Sequence, residues 1–221
     1  MTGQLAFDLP VTTGISRDDF FASIGNSAAL RAIEAWHDWP QYRMLLLGPD
    51  GAGKTHLAHI WAADARAVII AAVDLVAADI PALAAGPVCV EDADQIATDV
   101  AAETALFHLY NLGAPLLITA KTAPRDWGLR LADLKSRVQA MATVQIAPPD
   151  DVLLSAVLIK LFADRQIAVS PNLISYLLQR MDRSIIAARN VVAALDALAL
   201  ARARPVTRAL AAELLEQPNV R

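Results

Sequence analysis

Gly48-Pro49-Asp50-Gly51-Ala52-Gly53-Lys54-Thr55, GPDGAGKT, follows the apolar run Met44–Leu47 and precedes the helical stretch HLAHIWAADA. The eight residues match G-x-x-x-x-G-K-[ST] in the order strand, loop, helix that the motif requires. Gly48, Gly51 and Gly53 let backbone N–H groups curl round phosphate oxygens without side-chain obstruction. Lys54 brings a mobile ammonium to the β- and γ-phosphates, and Thr55 offers a hydroxyl to Mg²⁺. The helix that starts there adds the positive end of its dipole. Gly48 to Thr55, including Pro49, Asp50 and Ala52, together with His56 just inside the helix, are therefore expected to hold the phosphates of a nucleotide.

On both sides of this loop short apolar runs alternate with helical stretches. The candidate strands are 43–48, 67–71, 87–91, 115–120 and 143–146, each continuous in polarity as a strand buried on both faces reads. The intervening segments are long enough for crossover helices, so the economical architecture is α/β, a parallel five-stranded sheet. Before it, 18–36 reads as a helix with Asp18 or Asp19 as N-cap, closed by Pro40. After Ala147 the texture changes. Pro148-Pro149-Asp150-Asp151 breaks the chain and starts a helix, and helical periodicity alone follows over 151–166, 171–181, 184–203 and 207–217. The expected division is an N-terminal peptide, 1–12, an α/β nucleotide-binding domain, 13–147, and a small all-helical lid, 148–221.

The 221 residues suit this plan and suffice for a real core. Apolar residues make up 56% of the chain, but the longest apolar runs fall far short of the ~20 residues a membrane span needs. No membrane association is expected, and no basic region followed by an apolar core suggests a secretory signal. A single cysteine, Cys89, excludes an intramolecular disulfide and fits a cytoplasmic setting. The net charge of −4 lacks the basic excess of proteins that hold nucleic acid mainly through phosphate. The arginines gathered late in the chain read as solvated helix faces.

A P-loop hydrolase needs an acidic residue at the end of a neighbouring strand to order the metal's water shell, often with a second that polarises the attacking water. VCVEDAD supplies Glu91 for the Mg²⁺ shell and Asp92 for the water. The order Glu-Asp reverses the common one, and the longer Glu91 implies looser metal geometry and slow hydrolysis. A plain N-cap cluster for the following helix is the competing reading. The chain also opens unusually: in GQLAFDLP, Leu5, Phe7 and Leu9 recur with period two after Gln4, which places them on one face if the segment is extended.

The order GPDGAGKTHLAHIWA, VCVEDAD, PLLITAKTAP, LADLKSRVQA, followed by an all-helical end, resembles the AAA+ module of the replication-initiator DnaA family. It is more similar to the short Hda homologues (HdaA in some bacteria), which lack DnaA's DNA-binding domain. The resemblance covers about residues 4–217. It implies that Arg137, in Ser136-Arg137, is an arginine finger reaching a nucleotide held by a neighbouring subunit, a task suited to a permanently charged, forked group. It implies that Thr119, at the end of the fourth strand, senses the γ-phosphate. Where DnaA-like sequences carry Asp, this chain has Lys121. The second sensor, usually arginine, falls on Ile186, with Arg183 and Arg189 three residues to either side and Arg183 the preferred substitute.

The resemblance also explains the opening. Gln4, Leu5, Phe7 and Leu9 are similar to the peptide that docks on the bacterial DNA sliding clamp, the glutamine at a pocket rim and the apolar side chains within. The implied protein is a cytoplasmic regulator, brought to the nucleoid by the clamp, that holds ADP or ATP with Mg²⁺. It presents Arg137 to DnaA-bound ATP, lowers initiation competence, and has weak or no ATPase activity of its own. Sequence-specific DNA binding is not expected, since nothing after Gln217 could form a helix-turn-helix, and homo-oligomerisation is left open. Two alternatives stand beside this reading: a self-sufficient clamp-loading or remodelling ATPase, and a structural adaptor with a vestigial nucleotide site.

Overall fold

In the computed structural model, residues 16–215 are described. Gln4, Leu5, Phe7 and Leu9, expected to bind the clamp, lie outside them. A five-stranded parallel sheet in the order β2-β3-β4-β1-β5 forms the centre, from β1 (Arg43–Leu47), β2 (Val68–Ala71), β3 (Val88–Glu91), β4 (Leu116–Ala120) and β5 (Thr143–Gln145). Every strand expected from the sequence is present. The inner strands β1, β3 and β4 are almost wholly buried, as their continuous apolar runs require. β2 and β5 lie at the edges and are partly exposed, so burial on both faces does not extend to them.

Successive residues of β1 point to opposite faces. Leu45 and Leu47 join the core beneath α4 (Val100–Leu112) and α5 (Ala132–Gln139), where Leu106, Leu109, Leu134 and Val138 are buried. Met44 and Leu46 face the other way, against α1 (Ser27–Glu34) and α2 (Lys54–Ala65). On that face Trp61 of α2 is fully buried, stacked on Trp39 at 5.4 Å and met edge-on by Trp36 at 6.2 Å. A short α3 (Ile80–Leu83) lies between β2 and β3.

The chain after β5 is helical: α6 (Asp151–Asp164), α7 (Pro171–Leu178), α8 (Ile185–Arg202) and α9 (Arg208–Leu215). Asp150, Ser170, Ser184 and Thr207 each accept from the backbone N–H three residues on, a run of side-chain N-caps that starts all four helices. These helices close on a core of their own, with Leu158, Phe162, Leu177, Val192, Leu195 and Leu210 at its centre.

The segment before β1 departs from expectation. Instead of one helix over 18–36, a single helical turn at Arg17–Asp19 is followed by irregular chain, and α1 begins only at Ser27. Phe20 is buried edge-on against His56, 5.1 Å between ring centres, which a helix running through it would not allow it to reach. Asn26, itself buried, accepts from Ser23 N–H and donates to the Phe21 carbonyl, holding the bend that leads into α1. Among the described residues no helix is long and apolar enough to cross a membrane.

Candidate functional site

β1 and β4 are paired through Leu47 and Ala120, and the Gly48 N–H donates to the Ala120 carbonyl at 3.1 Å. The glycine-rich loop therefore leaves the sheet beside the end of β4. Its first position has no room for a side chain: a Cβ on Gly48 would lie 2.2 Å from Ile146 Cγ2 and 2.9 Å from the Ile146 carbonyl. Gly51 and Gly53 take φ of +69° and +110°, the left-handed region glycine enters without strain. The turn they make aims the loop into the N-terminus of α2.

Lys54 is the first residue of α2 and is buried, its ammonium donating to the carbonyls of Gly48 at 2.9 Å and Pro49 at 3.2 Å. An ammonium has three donors, so one remains for an anion at the loop. Thr55 follows, exposed, at the first turn of the helix. The sequence and the geometry agree on a cradle: a backbone curl, a buried cation and a helix N-terminus converge at one point. These features fit the phosphates of a nucleotide.

The helical part covers the loop from above. The Ile185 N–H, opening α8, donates to the Gly51 carbonyl at 2.9 Å. Beside Gly53, within 3.8 Å of where a Cβ would sit, lie the side chains of Ile146, Ile185 and Phe20. Phe20 and Ile185 are also walls of a cavity of about 620 Å³, shared with Phe21, His56, Leu153 and Val157, and with Arg189 and Asp196 of α8 among its polar groups. Its size and mostly apolar lining suit a nucleoside-sized ligand adjoining the phosphate cradle. Burial depresses the His56 pKa, keeping the ring neutral, while its Nε2 lies 2.8 Å from the Ser16 carbonyl.

At the other side of the loop, Glu91 ends β3 and Asp92 turns the chain with φ +54°. The Asp92 N–H donates to the hydroxyl of Thr119, a fully buried residue of β4, at 3.1 Å. Thr119, expected as a phosphate sensor, thus braces the acidic turn that carries Asp92. Two residues on, the Lys121 ammonium is ion-paired with the Asp50 carboxylate of the glycine-rich loop. This contact lowers the Asp50 pKa and raises that of Lys121. Among the described residues, no cluster of three or more His, Cys, Asp or Glu side chains is arranged to hold a metal. Mg²⁺ commonly uses one or two protein ligands and completes its shell with phosphates and water. Thr55 with Glu91 or Asp92 is chemically suited to that role.

The side chains of Arg183 and Arg137 are engaged with other partners. Arg183, just before α8, pairs with Asp151 of α6 at 3.0 Å, both side chains being more than half exposed. Arg137 is exposed on α5, which packs on the sheet face opposite α2. Its guanidinium rests 5.2 Å from the Phe107 ring centre and 5.6 Å from that of Tyr110 on α4. The loop into α5 is fixed by Glu103, fully buried, whose carboxylate accepts from the Arg130 N–H at 2.9 Å and the Leu131 N–H at 2.7 Å.

Sequence reasoning missed Phe20, Ile185, the Asp50–Lys121 pair and Glu103. A lone acid in the otherwise apolar face of α4 was the available signal for Glu103. The others depend on contacts between distant segments.

No protein-family model matches the chain. Among solved structures, domain III of the replication initiation protein DnaA from Thermotoga maritima is similar at a TM-score of 0.79 and 17% identity, over 96% of this chain and 100% of that one. AMPPCP-bound DnaA from Aquifex aeolicus is similar at 0.67 and 16% identity, over 81% of this chain and 64% of that one. A variant of RuvB from Thermotoga maritima reaches 0.68 at 17% identity, over 91% of this chain and 71% of that one. At these identities the likeness shows the fold alone, one shared with domain III of DnaA: an α/β sheet domain with a helical C-terminal part.

Proposed function

We propose that this chain is a DnaA-related regulator of replication initiation of the Hda type, nucleotide-bound and acting in trans. The observation that carries the reading is a separation: the phosphate cradle around Lys54 lies at the start of α2, whereas the exposed Arg137 sits on a helix of the opposite sheet face. A guanidinium so placed suits a nucleotide held by a neighbouring subunit better than its own. In trans, such an arginine contributes roughly 10³–10⁵-fold to phosphoryl transfer.

On this reading residues 13–147 form the nucleotide-binding unit and 148–221 the lid. Gly48 to Thr55 bind ADP or ATP through backbone N–H groups, Lys54 donates to the phosphates, Thr55 with Glu91 orders Mg²⁺, and Asp92 is the residue suited to polarise a water. The cavity bordered by Phe20, His56 and Ile185 takes the nucleoside. A bound nucleotide supplies the charge that draws lid and loop together; hydrolysis takes place in the partner's site. Gln4, Leu5, Phe7 and Leu9 dock on the sliding clamp, confining the activity to DNA that carries one. The neighbours named DnaA support the replication setting, and the N-terminal peptide supports the clamp.

The test is hydrolysis of DnaA-bound ATP in the presence of clamp-loaded DNA. The wild-type chain stimulates it. Arg137→Ala fails while still reaching the clamp, and deletion of residues 1–10 fails because recruitment is lost. Normal stimulation by both variants overturns the reading. Turnover of ATP by the isolated chain, abolished by Lys54→Ala, favours the self-sufficient ATPase instead.

A further inference from the structure

Asp50 is an odd occupant of an anion-binding loop. Its carboxylate belongs to the same turn whose backbone N–H groups and Lys54 favour negative ligands, and alone it would repel them. Lys121 meets it there. The backbone of Lys121 is pinned, its N–H donating to Asp94 Oδ1 at 3.2 Å, and the pairing of β1 with β4 brings its side chain across to the loop. The Lys54 ammonium, against the carbonyls of Gly48 and Pro49, marks the end of the loop where β- and γ-phosphates are met. Asp50 is the next residue, so the ion pair stands at the terminal-phosphate end.

Both partners are open to water, Lys121 53% and Asp50 69% exposed, so their bond is screened and easily exchanged. A nucleoside diphosphate can occupy the cradle and leave the pair in place. A third phosphate reaches the same ammonium only in competition with Asp50. Taking it leaves the Asp50 carboxylate bare beside a second, more highly charged anion.

We propose that the Asp50–Lys121 pair sets the diphosphate-to-triphosphate preference of this site, Asp50 withholding from a terminal phosphate the ammonium that would otherwise bind it. This inference rests on the reading of Gly48 to Thr55 as a nucleotide site. It assigns the two residues opposite effects: Lys121 favours the triphosphate and Asp50 opposes it.

The test is calorimetric titration of the full chain with ADP and with AMPPCP, each with Mg²⁺, for wild type, Asp50→Asn, Lys121→Ala and the double variant. Asp50→Asn should raise the preference for AMPPCP over ADP by about fivefold, the effect of one unit charge at about 4 Å in a water-like dielectric. Lys121→Ala should lower it by a similar factor, and the double variant should not show the sum of the two changes. If ADP binds the wild type and the ratio is unmoved by either substitution, the pair is only a surface contact and the inference falls. If the wild type binds neither nucleotide, the reading of the site falls and takes the inference with it.

Discussion

The N–H of Ile185 donates to the carbonyl of Gly51 at 2.9 Å, joining the first residue of α8 to the middle of the glycine-rich loop. The two residues are far apart in sequence, and the helices they adjoin, α2 and α8, belong to different cores, so this bond ties the helical part to the sheet part at the point where phosphates would bind. Ser184, which caps α8, presses on the same glycine.

A side chain at Gly51 should break this closure. Its Cβ would lie 2.4 Å from Ser184 Cβ and 3.3 Å from Ser184 Cα, at a φ of +69° that L residues rarely adopt. Gly51→Ala should destabilise the protein by about 1–3 kcal/mol in denaturant titration and weaken ADP binding as α8 is displaced.

Lys54→Ala should remove the response to nucleotide. With ADP at about 100 times its Kd, binding to the folded state alone adds about 2.7 kcal/mol of stability, which a thermal melt reads directly. The variant should melt at the same temperature with and without ADP. A retained shift would place the ligand elsewhere.

Glu103→Ala should be among the costlier single changes in α4. It removes a buried acceptor and strands the N–H groups of Arg130 and Leu131, each within 2.9 Å of it. A loss of about 3 kcal/mol is expected in urea unfolding. Glu103→Gln, whose amide oxygen still accepts, should lose less, and recovery of the Arg137 function in the glutamine variant would show that the loop before α5 had been the fault.

Stability should also fall as the pH drops below about 6.5. Burial lowers the His56 pKa, opposed in part by its bond to the Ser16 carbonyl and by Asp19, and assisted by Arg189 and His59. The unfolded chain accordingly takes up a proton that the folded one refuses, and the balance shifts toward unfolding as acid is added. Asp19 and Asp50, whose pKa values are lowered by their hydrogen-bonding partners, retain their contribution until stronger acid. Between pH 6.5 and 5 the melting temperature should fall, and His56→Gln should flatten that part of the curve.

What the sequence made legible is what is local. Leu45 to Leu47 read as a buried strand because an inner parallel strand is apolar on both faces, and GPDGAGKT read as a phosphate loop because glycine spacing and Lys54 suffice to describe it. Asp150 marks a helix start by its chemistry, and the caps at Ser170, Ser184 and Thr207 fall at the starts of the periodic segments that follow. The stretch from Phe20 to Asn26 departs from the expected helix because its course is set by a distant partner, His56, and by a bend that Asn26 closes through its side chain. Thr119 was placed correctly on its strand, but the direction of its hydroxyl, toward Asp92, depends on the pairing of β3 and β4. The Asp50–Lys121 contact spans 71 positions and follows from topology that no local pattern encodes.

Three of the indoles, Trp36, Trp39 and Trp61, meet on the face that carries α2. The helix that bears Trp61 is the one whose first residue, Lys54, enters the phosphate cradle. The stacked indoles are a built-in optical gauge of α2: any rotation of that helix would change the coupling between these chromophores. Near-ultraviolet circular dichroism can follow the phosphate loop without any label.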